Sequence, residues 1–148
     1  MMPLRLPPGN FRVKSTEKGS FIFDPIRKKF VHCTPEEWVR QHVVSFLLSR
    51  KRVPQNLINV EKQLLIAGTK KRYDVVVYNT DGSMYALIEC KAPSVGITQA
   101  AFDQIARYNL AVDAQYLMLT NGLEHYFCTM NYADQRYDFI TDLPEYTL

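Results

Sequence analysis

Between Arg72 and Lys91 two runs rich in β-branched and aromatic residues flank Asp81-Gly82. That dipeptide favours a two-residue type I′ hairpin turn. No other segment constrains the fold as tightly, because it specifies two adjacent antiparallel strands and their register. With Thr80 and Ser83 closing the turn, Asp74 lies opposite Glu89. The two-residue side-chain period then sets Asp74, Val76 and Tyr78 on the same face as Tyr85, Leu87, Glu89 and Lys91. Opposed Cβ atoms are only about 4.5–5.5 Å apart, so two carboxylates there repel unless a cation lies between them. One reading supplies a hard divalent cation, held by carboxylates and water, with Lys91 beside it. The other pairs Asp74 with Arg72 or another base and Glu89 with Lys91, as an ordinary polar sheet face.

Around this hairpin the chain alternates helical and strand patterns. Residues 1 to about 18 are rich in Pro, Gly and charge and read as a loose or wrapping arm. Phe21–Phe23 and Lys29–His32 read as short strands about the Asp24-Pro25 turn. Thr34-Pro35-Glu36-Glu37 supplies an N-cap, a proline at the first helical position and a capping-box glutamate, Glu37. The helix it starts runs to about Arg50 with Val39, Val43, Phe46 and Leu47 as its apolar stripe, and Val53-Pro54 breaks it. Leu57 to Ile66 reads as a strand ended by Ala67-Gly68. Beyond the hairpin come a helix from Thr98 to about Leu110, a buried strand Tyr116–Thr120, and a closing hairpin of strands near 125–130 and 137–140. Strands before one crossover helix and another strand predict an α/β sandwich, a mixed central sheet flanked by helices. The 148 residues suit one domain: 1–33 as arm and short strands, 34–123 as core, 124–148 as C-terminal strands.

Composition narrows the class. Hydrophobic residues at 47% and charged residues at 22% are ordinary for a soluble protein. No apolar run approaches membrane-spanning length, and the prolines near the start interrupt any signal-peptide pattern, so the expectation is cytoplasmic with no membrane partner. Three widely spaced cysteines suit free thiols better than a disulfide framework. The net charge of +3 identifies no partner by itself. Basic triplets at Arg27-Lys28-Lys29, Arg50-Lys51-Arg52 and Lys70-Lys71-Arg72 each read as solvated turns or as polyanion-steering patches.

On the second helix Gln104 and Tyr108 are four residues apart and share a face, with Ile97, Ala101 and Ala111 along the same stripe. They read either as a core-edge pair or as polar groups near a ligand. His32, His42 and His125 show no metal-ligand spacing, and Trp38 reads as core.

Asp74, then Ile88-Glu89-Cys90-Lys91-Ala92-Pro93, then Gln104-Ile105-Ala106-Arg107-Tyr108-Asn109 resembles the PD-(D/E)XK nuclease superfamily, most nearly the amino-terminal nuclease domain of type I restriction endonuclease R subunits. Thr34–Gln41 and Leu119–Gly122 resemble that domain's first helix and a later strand, so the likeness covers roughly residues 34–123. It implies a restriction-endonuclease-like fold and Mg²⁺-dependent (or Mn²⁺-dependent) hydrolysis of DNA. Asp74 and Glu89 are then metal ligands, Lys91 assists the attacking water, and Gln104 and Tyr108 position substrate or the lysine. An acidic residue on the first helix often approaches the metal in this family, and Glu36 is preferred here. The superfamily's proline is replaced by Tyr73. No phosphate-binding loop of a helicase motor is present, so the module is expected to meet DNA through restriction-modification subunits, through a second copy of itself or through an unrecognised surface. The alternatives are a non-cleaving nucleic-acid-binding or assembly module, and hydrolysis of a smaller phosphate ester.

Overall fold

The computed structural model describes residues 2–66 and 68–147, with Ile66, Tyr108 and Ala111 described by their backbone alone. Three antiparallel strands come first, in the order β1 (Val13–Thr16), β2 (Gly19–Asp24), β3 (Lys29–His32). Helix α1 (Pro35–Ser49) follows. Six further strands then form a second sheet in chain order: β4 (Ile58–Ile66), β5 (Thr69–Tyr78), β6 (Met84–Cys90), β7 (Tyr116–Thr120), β8 (His125–Asn131) and β9 (Arg136–Ile140). Neighbours are antiparallel except β6 and β7, which run parallel and are joined through helix α2 (Gln99–Val112). The architecture is α/β, with a mixed six-stranded sheet and two helices. No helix among the described residues is long and apolar enough to cross a membrane.

The helices cover opposite faces of the large sheet. Strand β6 decides this by alternation: Ala86, Ile88 and Cys90 pack with Val39, Val43 and Leu47 of α1, whereas Leu87 packs with Phe102, Ile105 and Ala106 of α2. A strand buried on both faces reads as a near-continuous apolar run, which is why Met84–Ile88 shows no hydrophobic–polar alternation. The Thr34 hydroxyl accepts the Glu37 backbone N–H at 3.1 Å and starts α1. Thr98 does the same for α2 through Ala101, also at 3.1 Å, and Asp113 ends it in the left-handed region.

Three expectations change. The N-terminal segment wraps the fold and carries a strand of its own, β1. Arg5 donates its backbone N–H to the Gly122 carbonyl at 2.8 Å, and Leu4 and Leu6 pack onto the α1-side core. Gly122 has φ +87°, and a Cβ there stands 2.8 Å from Leu4 Cδ2, so the arm seats where a side chain is excluded.

The hairpin turn is also longer than the dipeptide predicts. Asn79 and Ser83 close it, with Asn79 N–H on the Ser83 carbonyl at 2.8 Å and Gly82 N–H on the Asn79 carbonyl at 3.0 Å. Gly82 alone takes positive φ (+89°), the arrangement of a three-residue loop. The Asp81 carboxylate accepts the Ser83 backbone N–H at 2.9 Å and its hydroxyl at 2.6 Å, which favours this loop. A register shift between Val77 and Tyr78 then absorbs the extra residue, so Val77, Val76 and Val75 pair with Ala86, Leu87 and Ile88 as expected. Tyr85 lies at the shift. It turns to the α1 side against Tyr116 and Tyr146 and does not share a face with Leu87.

Finally, Glu37 is not a capping-box partner. Its carboxylate faces Arg27, Arg40 and Gln41.

Candidate active site

Strands β4 and β5 lose their alternation at one level, and this positions the first acid. Val60 and Val75 pair across the ladder and both pack on the α1 side. One step further, Leu64 and Tyr73 belong to the α2 side. Between them Glu61 takes φ +55°, and direct pairing resumes only at Lys62 and Tyr73. Irregularities of this kind re-aim side chains. Here they turn Glu61 and Asp74 toward α1.

Asp74 sits between strand and helix. Its Oδ2 accepts the Cys90 backbone N–H at 2.8 Å, and Oδ1 accepts Arg40 Nη2 at 2.9 Å. Arg40, only 6% exposed, also reaches Glu37 Oε1 at 2.7 Å, Glu61 Oε1 at 3.4 Å and Glu36 Oε1 at 3.6 Å. Burial opposes its charge, but Glu37 and Asp74 more than offset that, and its pKa rises. Arg27 adds a second cation beyond it, holding Asp24, Glu37 (2.7 Å) and Glu61 (3.4 Å).

Glu89 differs in its surroundings. It is 7% exposed, and its Oε1 is buried without a hydrogen bond among the described residues. Burial first, then the charge of Asp74 and a hydrogen bond with it, push Glu89 up to about 8, against the pull of Lys71 and Lys91. The two carboxyls are thus immediate neighbours. Glu36 is raised by burial and then by Asp74, while Arg40 and Lys91 act the other way. Lys91 is held by its backbone N–H on the Thr120 carbonyl at 2.8 Å, which ties the end of β6 to the end of β7.

Asp74, Glu89, Lys91 and Glu36 therefore converge where β5, β6 and the start of α1 meet. The donor set is hard oxygen with one amine at its rim. Among the described residues no three His, Cys, Asp or Glu side chains enclose an ion unaided. A Mg²⁺-sized ion requires no such cage, since one or two carboxylates with waters suffice. An orphaned carboxylate oxygen beside a second carboxylate fits that demand, because a buried acid without a partner otherwise stays protonated.

Gln104 is exposed on α2, while Ile105 and Ala106 beside it are buried. The Tyr108 side chain lies outside the described residues. Arg40 is the residue that sequence reasoning missed. Its signal was present, three and four residues after Glu37 and Glu36, but only the fold brings Asp74 to the same guanidinium. His42 packs between Phe11 and Trp38, and its Nδ1 lies 2.8 Å from the Trp38 carbonyl. Among the basic triplets, Arg27 is engaged by acids within the fold, and Lys51 and Arg52 pair with Asp142 (2.6 Å) and Glu145 (3.0 Å).

Residues 35–144 match the family model described as "Type I restriction enzyme R protein N terminus". An Escherichia coli protein described as "Type I restriction enzyme EcoprrI endonuclease subunit" is 33% identical over 125 residues, which cover 69% of this chain and 39% of the relative. The chain matches about two fifths of that relative's length.

Proposed function

We propose, since the chain belongs to the family of type I restriction enzyme R protein N termini, that it is a nuclease module of the PD-(D/E)XK type with a restriction-endonuclease-like fold, hydrolysing DNA phosphodiesters with Mg²⁺ or Mn²⁺. The observation that carries this reading is the buried Oε1 of Glu89, without a hydrogen bond among the described residues, beside the Asp74 carboxyl and within the field of Lys91. Asp74 and Glu89 would hold the ion, and Glu36 is the third acid within reach. When bound, the ion supplies positive charge at the phosphoryl oxygen and a more acidic water.

The chain's own groups do the rest. Arg40 and the Cys90 N–H hold the Asp74 carboxyl in one orientation. Lys91 orients the attacking water and stabilises charge growing on the phosphoryl group. The new bond forms between water oxygen and phosphorus as the bond to the leaving sugar oxygen breaks. Gln104 and Tyr108 are assigned to positioning substrate by the family resemblance. DNA and other restriction-modification subunits are the partners this reading implies, and cutting both strands favours a homodimer.

A second reading has its own support. The Arg40–Asp74 ion pair at 2.9 Å neutralises one acid without any metal, as a non-cleaving nucleic-acid-binding or assembly module needs. Plasmid nicking with and without Mg²⁺ separates the two. Wild-type protein is expected to nick only with metal, D74A and E89A to lose activity, and K91A to fall by about 10²–10⁴-fold. Wild-type rates in all three variants would remove the nuclease reading. Mg²⁺ titration calorimetry on D74A and E89A then reports whether those acids bind the ion.

A further inference from the structure

The hairpin of β4 and β5 extends past the carboxylates as a two-stranded ribbon, paired from Lys62↔Tyr73 out to Ile66↔Thr69. Lys62, Lys70, Lys71 and Arg72 lie on it, and no acidic residue occurs between Lys62 and Tyr73. The register divides it into two faces. Leu64 and Tyr73 pack on the α2-side core. The opposite face presents Gln63 across from Arg72, and Leu65 across from Lys70, all four exposed. Leu65 is 71% exposed, an unusual place for a large apolar side chain flanked by cations.

Alternation along β5 makes this face continuous with Asp74. Residues 70, 72 and 74 follow one another on the same side at intervals of about 7 Å. Among the described residues neither Lys70 nor Arg72 enters an ion pair, whereas Arg27, Lys51 and Arg52 of the other two triplets do. A basic ribbon without acids is complementary to a polyanion, not to a second copy of itself. A two-stranded ribbon is also of the size that the major groove of duplex DNA admits.

We propose that the β4–β5 ribbon is the arm by which this protein grips duplex DNA. Lys70 and Arg72 contact phosphates, Leu65 makes apolar contact in the groove, and the strand so held is led to Asp74 and Glu89. The inference deepens the nuclease reading and rests on DNA being the substrate.

The test is fluorescence anisotropy of the 148-residue chain with a labelled duplex, in EDTA to prevent cleavage and across a salt titration. Each phosphate contact contributes about 0.9 to the slope of log K against log salt. K70A/R72A is therefore expected to reduce the slope by about 1.8 and to weaken binding roughly tenfold or more. L65A should weaken binding a few-fold with the slope unchanged, and D74N should bind at least as tightly as wild type. Circular dichroism melts of each variant exclude unfolding as the cause. Absence of binding by the wild type, or a K70A/R72A slope equal to wild type, overturns the proposal. So does a double variant that loses only self-association in sedimentation, which would make the ribbon a contact between copies. Ribbon-dependent binding without Mg²⁺-dependent nicking leaves the arm standing and removes the nuclease. Nicking with a ribbon-independent slope does the reverse.

Discussion

Asp24 and Glu89 are both buried carboxyl groups beside basic residues, and they differ in every other respect. Asp24 is 0% exposed yet fully served. Its Oδ1 accepts the backbone N–H groups of Ile26 (2.7 Å) and Arg27 (3.3 Å), and Oδ2 takes the Arg27 guanidinium. Glu89 has a buried oxygen with no hydrogen bond among the described residues and an acid for a neighbour. A satisfied buried charge stabilises a structure, whereas an unsatisfied one persists only where something else requires it. The first lies under the turn joining β2 to β3, and the second lies where three elements converge on a cluster of acids.

Substitution should separate the two acids sharply. D24A strands Arg27 among Glu37 and Glu61 without its shortest contact, and breaking a buried pair of this kind costs about 3–5 kcal/mol. Urea melts should register that loss equally with and without Mg²⁺. A cost below about 1 kcal/mol would show that Asp24 is no more important than a surface ion pair.

Glu89 should respond in the opposite sense. Its pKa in the fold, about 8, lies above the ordinary 4.5. Between those values the unfolded chain ionises while the folded chain keeps its proton, so metal-free stability falls as pH rises from about 4.5 to 8. E89Q should remove that decline and be more stable than wild type at pH 8, by on the order of a few kcal/mol. Saturating Mg²⁺ should stabilise the wild type, by about 2.7 kcal/mol at a hundredfold excess over Kd, and leave E89Q unchanged. A wild-type curve flat with pH, or equal Mg²⁺ effects on both proteins, would make Glu89 another Asp24.

His42 provides the smallest and sign-reversed case. Burial lowers its pKa below 6.5, against the Trp38 carbonyl. As pH falls through 6.5 the unfolded chain takes up the proton first, so this contribution is lost on acidification. H42Q should flatten the fall in stability below pH 6.5, with a smaller effect than E89Q has at high pH. An unchanged slope would assign the acid response to carboxylates alone.

Local signals in the chain were legible where neighbours in sequence decide the structure. Thr34-Pro35 and Thr98 mark the two helix starts as found, because capping involves residues three positions apart. The β5–β6 register was legible only in part. The loop closes between Asn79 and Ser83, and the shift at Val77 then restores the pairing, so two offsets cancel. Strand β1 was hidden by the polar composition of Val13–Thr16, which is exposed along its whole length. Arg40 was hidden for another reason, since its importance comes from Asp74, thirty-four residues away in the chain.

The chain alone marked both helix starts and most of the strands, because period, capping and turn chemistry act over a few residues. Tertiary structure alone decided which acids are satisfied. Arg27 and Arg40 reach their partners from separate elements, and Glu89 Oε1 is left without a hydrogen bond among the described residues, because burial and charge compensation depend on what packs against a group and not on what precedes it.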